Sequence, residues 1–188
     1  MNLDYEVART KRDMLIRKNN DIYTSKIIVG QETLLFEEMK FYDERLSIML
    51  PNNYKDLPDE IKKIKYPMEN RPEIIKSNES GDVNFAIALH DVKIKAEDID
   101  NAMQKYIAVI YKSYPGTTFL QTESVPMNGT MLGYFSFITR SIDSDIYQVF
   151  AFTELNGKML QIIFNAPSTM KKEWSFIILQ VLTSIKIL

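Results

Sequence analysis

The sequence predicts an α+β fold, a twisted and mainly antiparallel sheet of about six to seven strands with helices packed on it, and three observations carry this. Met131 to Asn165 reads as three consecutive strands joined by turns too short for anything but antiparallel pairing. The strands are apolar on both faces: Tyr134, Phe135, Phe137 and Ile138 occupy both parities of the first, and Val149, Phe150, Ala151 and Phe152 do the same in the second. A sheet with one wet face would alternate cleanly, so this pattern requires cover on both sides. Two stretches with helical apolar spacing, 97–114 and 168–185, supply that cover.

In chain order, residues 1–20 carry Arg9, Lys11, Arg12, Arg17 and Lys18 around a thin apolar stripe of Val7, Met14 and Leu15, consistent with a short helix or a solvated arm. Residues 21–188 are expected to form a single domain. Ile27-Ile28-Val29 and Leu34-Leu35-Phe36 flank Gly30-Gln31-Glu32 as a hairpin leading into a strand from Phe41 to Leu50, in which Leu46, Ile48 and Leu50 share a face. Pro51-Asn52-Asn53 stops it. Leu57-Pro58-Asp59-Glu60 opens a two-turn helix with acids first and lysines later, as the helix dipole favours, and Tyr66-Pro67 ends it.

Pro67 and Pro72 bar the next segment from regular pairing, so an ordered loop precedes the strands Glu73–Lys76 and Val83–Leu89, joined by a turn at 78–82. In the helix 97–114, Ile99, Met103, Tyr106 and Ile110 repeat at helical spacing until Pro115-Gly116. Phe119 to Val125 is a further strand pairing into the meander, with its turn at Pro126, Asn128 and Gly129. Asn156-Gly157 is a type I′ pair that sets the register of the last hairpin. Ser168 is placed to cap the final helix, whose wide apolar face runs through Trp174, Ile177, Ile178, Val181 and Leu182 and makes Trp174 a core residue.

The 188 residues suffice to bury a core without disulfides or metal. With no cysteine there is no disulfide framework, no thiolate nucleophile and no cysteine-ligated metal, and one histidine narrows metal chemistry further. Lys plus Arg number 23 against 25 acids, so a net charge of −2 gives no field toward nucleic acid or anionic lipid. The N-terminal stretch has no apolar core of a secretory signal, and the run Phe176–Leu188 is too short and too polar to span a bilayer, so a cytoplasmic protein without stable membrane insertion is expected. Neither G-x-x-x-x-G-K-[ST] nor G-x-G-x-x-G is present, and no cofactor is expected.

His90-Asp91 suggests a dyad only until one notes that strand neighbours face opposite ways. Asp143-Ser144-Asp145 has the first spacings of a calcium loop without its glycine or distal glutamate, and reads as a turn. The segment Tyr66-Pro67-Met68-Glu69-Asn70-Arg71-Pro72 is the most unusual in the chain. Its prolines lower the entropy of ordering, and it offers Tyr66, Met68 and Arg71 as candidate partner-binding residues. The bland alternative is that Arg71 satisfies carbonyls of the loop while Tyr66 packs on the short helix.

Leu46-Ser47-Ile48-Met49-Leu50-Pro51 with Tyr54, followed by a short helix, a hairpin, a long helix, a four-strand run and a C-terminal helix, resembles the PsbP-like superfamily. That superfamily includes the Ran-binding Mog proteins, the envelope lipoprotein DcrB and the Eag-type chaperones of type VI secretion. The resemblance covers 41–188, and Tyr66 to Pro72 looks like that of uncharacterised bacterial members. It implies no catalytic residue, and it implies a non-enzymatic binding, adaptor or chaperone-like role toward another protein, a secreted effector being one such partner. The alternative is a carrier of a small apolar ligand between sheet and helices, with Met103, Tyr106, Phe135 and Trp174 lining its cavity.

Overall fold

The computed structural model of the chain describes residues 20–67, 69–127, 129–140 and 144–188. Among them the strands are β1 (Ile27–Val29), β2 (Glu32–Leu34), β3 (Phe36–Phe41), β4 (Leu46–Pro51), β5 (Lys55–Asp56), β6 (Ile74–Ser77), β7 (Asn84–Lys93), β8 (Thr118–Met127), β9 (Thr130–Thr139), β10 (Ile146–Leu155), β11 (Lys158–Pro167) and β12 (Lys186–Ile187). The helices are α1 (Asp59–Lys65), α2 (Ile99–Ser113) and α3 (Lys171–Thr183).

Seven strands form one antiparallel sheet in the order β5-β6-β7-β11-β10-β9-β8. Asn156 (φ 52°) and Gly157 (φ 77°) are the two left-handed residues of the expected tight turn, and β10 and β11 pair in unbroken register from Leu155–Lys158 to Ile146–Pro167. Two small sheets, β12-β4-β3 and β1-β2, stand beside the large one.

The double-sided strands are buried as their pattern requires. On one face of the sheet, Phe85, Leu132, Tyr134, Val149, Ile162 and Phe164 join Trp174, Ile177, Val181 and Leu182 of α3, together with Leu46, Ile48 and Leu50 of β4. Trp174 is fully buried, its ring centroid 4.8 Å from Phe164 and 5.7 Å from Phe85. On the opposite face, Phe135, Phe137, Phe152 and Met159 meet Ile99, Met103 and Ile110 of α2. Farther along that face, Leu57, Ile75 and Ala86 pack with Tyr66 and Ile163.

Several local expectations are corrected. The strand expected from Phe41 to Leu50 is interrupted, because Tyr42, Asp43 and Glu44 all take positive φ (55°, 55° and 65°) and reverse the chain between β3 and β4. This left-handed turn is held by the Tyr42 hydroxyl donating to Glu73 Oε2 (2.7 Å) and by Arg45 Nε donating to the Tyr42 carbonyl (2.8 Å). Ser168 makes no capping hydrogen bond through its side chain; its N–H donates to the Asp145 carbonyl (2.8 Å), and a 3-10 turn, Ser168–Met170, precedes α3. The long helix likewise starts as a 3-10 turn, Ala96–Asp98.

The last helix stops at Thr183, not 185. Ser184 Oγ accepts from the Met49 N–H (2.9 Å) and donates to the Val181 carbonyl (2.6 Å), which ties the helix end to β4 and releases the chain into β12. Pro126 lies inside β8, where its missing N–H costs no ladder bond because β8 is the edge of the sheet. The N-terminal arm lies outside the described residues except Asn20, whose carbonyl accepts from Gln180 Nε2 (2.6 Å). Asp143 of the expected turn and Asn128 also lie outside them.

Gly133 of β9 permits the close seat of α2, since a Cβ there would stand 2.8 Å from Ile99 Cγ2 and 3.4 Å from Met103 Sδ. Gly133→Ala is therefore expected to cost about 1–3 kcal/mol by overpacking, lowering Tm by roughly 2–4 °C per kcal/mol. In thermal melts, Gly133→Ala combined with Ile99→Ala should be less destabilised than the sum of the two single changes. Strict additivity would mean that the glycine does not seat the helix.

Candidate functional site

The face that carries α2 is not fully covered. α2 lies over β9 and β10, while Tyr66, following α1, packs over β6, β7 and β11 through Ile75, Ala86 and Ile163. Between these two covers the sheet is open, and a cleft of about 580 Å³ remains. Its aromatic floor is Phe137 and Phe150; Ile110 and Tyr114 at the C-terminal end of α2 form one wall, and Lys65 and Tyr66 form the other. Gln148, Asn84 and Asn165 add polar groups from the strands, and Arg140 stands at the rim.

The polar groups form a chain across the sheet. Asn84 and Asn165 are cross-strand partners on β7 and β11. Asn84 Nδ2 donates to the Gly81 carbonyl (3.2 Å) and to Asn165 Oδ1 (2.9 Å), and Asn165 Nδ2 donates to the Tyr66 hydroxyl (3.1 Å). The Gly81 carbonyl can only accept, which fixes the Asn84 amide and leaves its Oδ1 buried with no partner among the described residues. Burial raises the Tyr66 phenol above the ordinary tyrosine range, although the Asn165 hydrogen bond works the other way, so Tyr66 keeps its proton.

Charge is sparse here. Lys65 Nζ donates to the Gly81 carbonyl and stands near Asp82. Burial works to raise the Asp82 carboxyl, but hydrogen bonds from Ser80 and Asn78, with Lys65 nearby, hold it below the usual range. Arg140 is exposed and makes no ion pair among the described residues.

Of the three partner-binding candidates, the structure brings Tyr66 to the cleft. Arg71 turns back on its own loop, Nε donating to the Tyr66 carbonyl at 3.0 Å, and Met68 lies outside the described residues. The four residues proposed to line a carrier cavity do not meet: Met103, Tyr106 and Phe135 are packed under α2, whereas Trp174 is buried on the opposite face of the sheet. That cavity is corrected to two filled cores, with Tyr106 against Phe152 at 4.7 Å. His90 and Asp91 are separated as strand neighbours must be, His90 Nε2 pairing with Gln161 Oε1 (2.8 Å) and Asp91 with Lys158 (2.8 Å). Phe137, Phe150, Arg140 and the two asparagines were not singled out from sequence. Asparagine is depleted in strands, so Asn84 and Asn165 inside apolar runs are the signal that could have found them.

No family model and no curated protein matches the chain. Among solved structures it is similar to the cyanobacterial PsbP of Synechocystis, with TM-score 0.60 and 10% identity over 86% of this chain and 98% of that one. It is also similar to the Ran-binding protein MOG1P of Saccharomyces cerevisiae, with TM-score 0.56 and 11% identity over 82% of this chain and 96% of that one. The chain has the PsbP-like fold.

Tyr66 carries a structural load besides facing the cleft. Tyr66→Ala strips a ring from the Leu57–Ile75–Ala86 cluster and removes the partner of Asn165 Nδ2, so it should cost about 2 kcal/mol and lower Tm by roughly 4–8 °C. Tyr66→Phe, which loses only the hydroxyl, should cost about 1 kcal/mol. Equal melting of Tyr66→Ala and wild type would show that the ring does not pack.

Proposed function

We propose that this chain is a non-enzymatic binding protein and that another protein docks over the cleft between α2 and Tyr66. The observation that carries the reading is the cleft itself, a gap in the cover of a sheet whose central strands, β9, β10 and β11, are otherwise packed on both faces. Its surroundings support a protein partner. α2 exposes Val109 (61%) and Tyr111 (73%), with Tyr114 (60%) following it, and α1 exposes Ile61 and Ile64. Apolar side chains left in water on both sides of a concave site are what an interface buries. One of the two fold relatives is itself named for binding a protein, Ran. The absence of a histidine–carboxylate arrangement at His90-Asp91 removes the sequence's one candidate dyad. No helix among the described residues is long and apolar enough to cross a membrane.

Gln148→Trp, which fills the cleft from β10, separates the outcomes. Proteins retained from native extract by the wild-type chain should be lost from this variant, while its Tm stays within about 4 °C, the equivalent of roughly 1 kcal/mol. Equal retention by both chains would place the interface elsewhere. A small molecule carried by the freshly purified wild type in native mass spectrometry, without any protein, would favour the carrier reading instead.

A further inference from the structure

The turn between β10 and β11 joins two residues that can react with each other. Asn156 is exposed, and nothing stands within 4 Å of where a Cβ on Gly157 would lie. An asparagine followed by so unhindered a backbone nitrogen is the arrangement in which deamidation runs most readily. Gly157 N bonds to Asn156 Cγ, the Cγ–Nδ2 bond breaks, and Nδ2 leaves as ammonia with the proton that Gly157 N gives up. Water then opens the cyclic imide, its hydroxyl going to one carbonyl carbon and its proton to the ring nitrogen. Aspartate or isoaspartate is left at 156.

The fold opposes the first step. Positive φ at both residues, 52° and 77°, is the type I′ geometry, in which ψ of the first residue is about +30°. That rotation sets Gly157 N nearly opposite the Asn156 Cβ about the Cα–C bond, out of reach of Cγ. To attack, the peptide unit between the two residues must swing through most of a half-turn, and the contacts around it resist. Gly157 N–H donates to Glu154 Oε1 (2.8 Å), the Gly157 carbonyl accepts from the Ile94 N–H (3.0 Å), and Leu155 and Lys158 close the ladder on either side.

We infer that Asn156 is a latent modification site, intact while the turn is closed and converted to aspartate or isoaspartate through its openings, with Glu154 as the positioning residue that keeps it closed. The site is separate from the cleft and does not depend on what docks there. Glu154 restrains the reaction and does not promote it, because a carboxylate is a feeble base toward a backbone amide. Isoaspartate lengthens the main chain inside a two-residue loop, so the product cannot keep the unbroken register that β10 and β11 share.

The test follows aspartate and isoaspartate at 156 by peptide mass spectrometry after the full chain is incubated at neutral pH and physiological temperature. Asn128-Gly129, the other Asn-Gly pair of the chain, is read in the same digests. Native wild type should convert Asn156 at least roughly tenfold more slowly than the chain unfolded in guanidinium. Glu154→Ala should speed the native reaction by roughly threefold to tenfold, the worth of one hydrogen bond, whereas Glu154→Gln, which keeps an acceptor in place, should stay nearer to wild type. With Glu154→Ala the conversion at 156 should rise relative to that at 128. An equal rise at both pairs would show a loosening of the whole fold and no particular hold of Glu154 on this turn. Equal rates in the folded and unfolded chain, or slower conversion in both Glu154 variants as the loss of a base would give, would overturn the inference.

Discussion

The structure depends on one constraint: the central strands of the large sheet carry apolar side chains on both faces, and each face must be taken out of water. At about 25 cal/mol per Å², leaving either face bare would forfeit more than the whole net stability of a domain this size. The two faces are covered by different means. Trp174 and its neighbours on α3 share one face with the small sheet of β4, so that helix, small sheet and the β1–β2 hairpin form one continuous core. The other face is closed by α2, seated low on β9 because Gly133 has no side chain, and separately by the Tyr66 loop.

The cleft is the remainder of that second arrangement. Two covers that come from different parts of the chain need not meet, and here they leave Phe137 and Phe150 at the bottom of a trough. A wholly apolar trough would be a liability for solubility. Asn84 and Asn165 make it polar along one side, at the expense of an amide oxygen, Asn84 Oδ1, that finds no partner among the described residues.

Much of the fold was legible in the sequence because its determinants are local. Asn156-Gly157 specifies its turn by itself, and the spacing of Ile99, Met103 and Ile110 specifies a helix face, whatever lies elsewhere. The turn at Tyr42-Asp43-Glu44 was not legible, since none of the three is glycine and the contacts that hold it reach to Glu73. Nor was β12, whose separation from α3 rests on Ser184 meeting Met49 across 135 residues of chain. Of the site, Tyr66 could be singled out because prolines mark its loop. The pairing of Asn84 with Asn165 could not, because the two are 81 residues apart and only the strand register joins them. The carrier cavity failed for the same reason in reverse: four large apolar residues say nothing about which face of the sheet each occupies.

Neighbouring residues of β10 offer the most direct measurement of this asymmetry. Gln148 faces the open cleft and Val149 the closed core, and the chain has no cysteine of its own to react. Gln148→Cys and Val149→Cys should therefore differ sharply in their rate of thiol labelling under native conditions. The thiol introduced by Gln148→Cys should react at a rate within roughly tenfold of the unfolded chain, whereas the one introduced by Val149→Cys should react only through opening, slower by roughly a thousandfold or more for a fold at least about 5 kcal/mol stable. Comparable rates at the two positions, fast or slow, would contradict a sheet closed on one face and open at this point on the other.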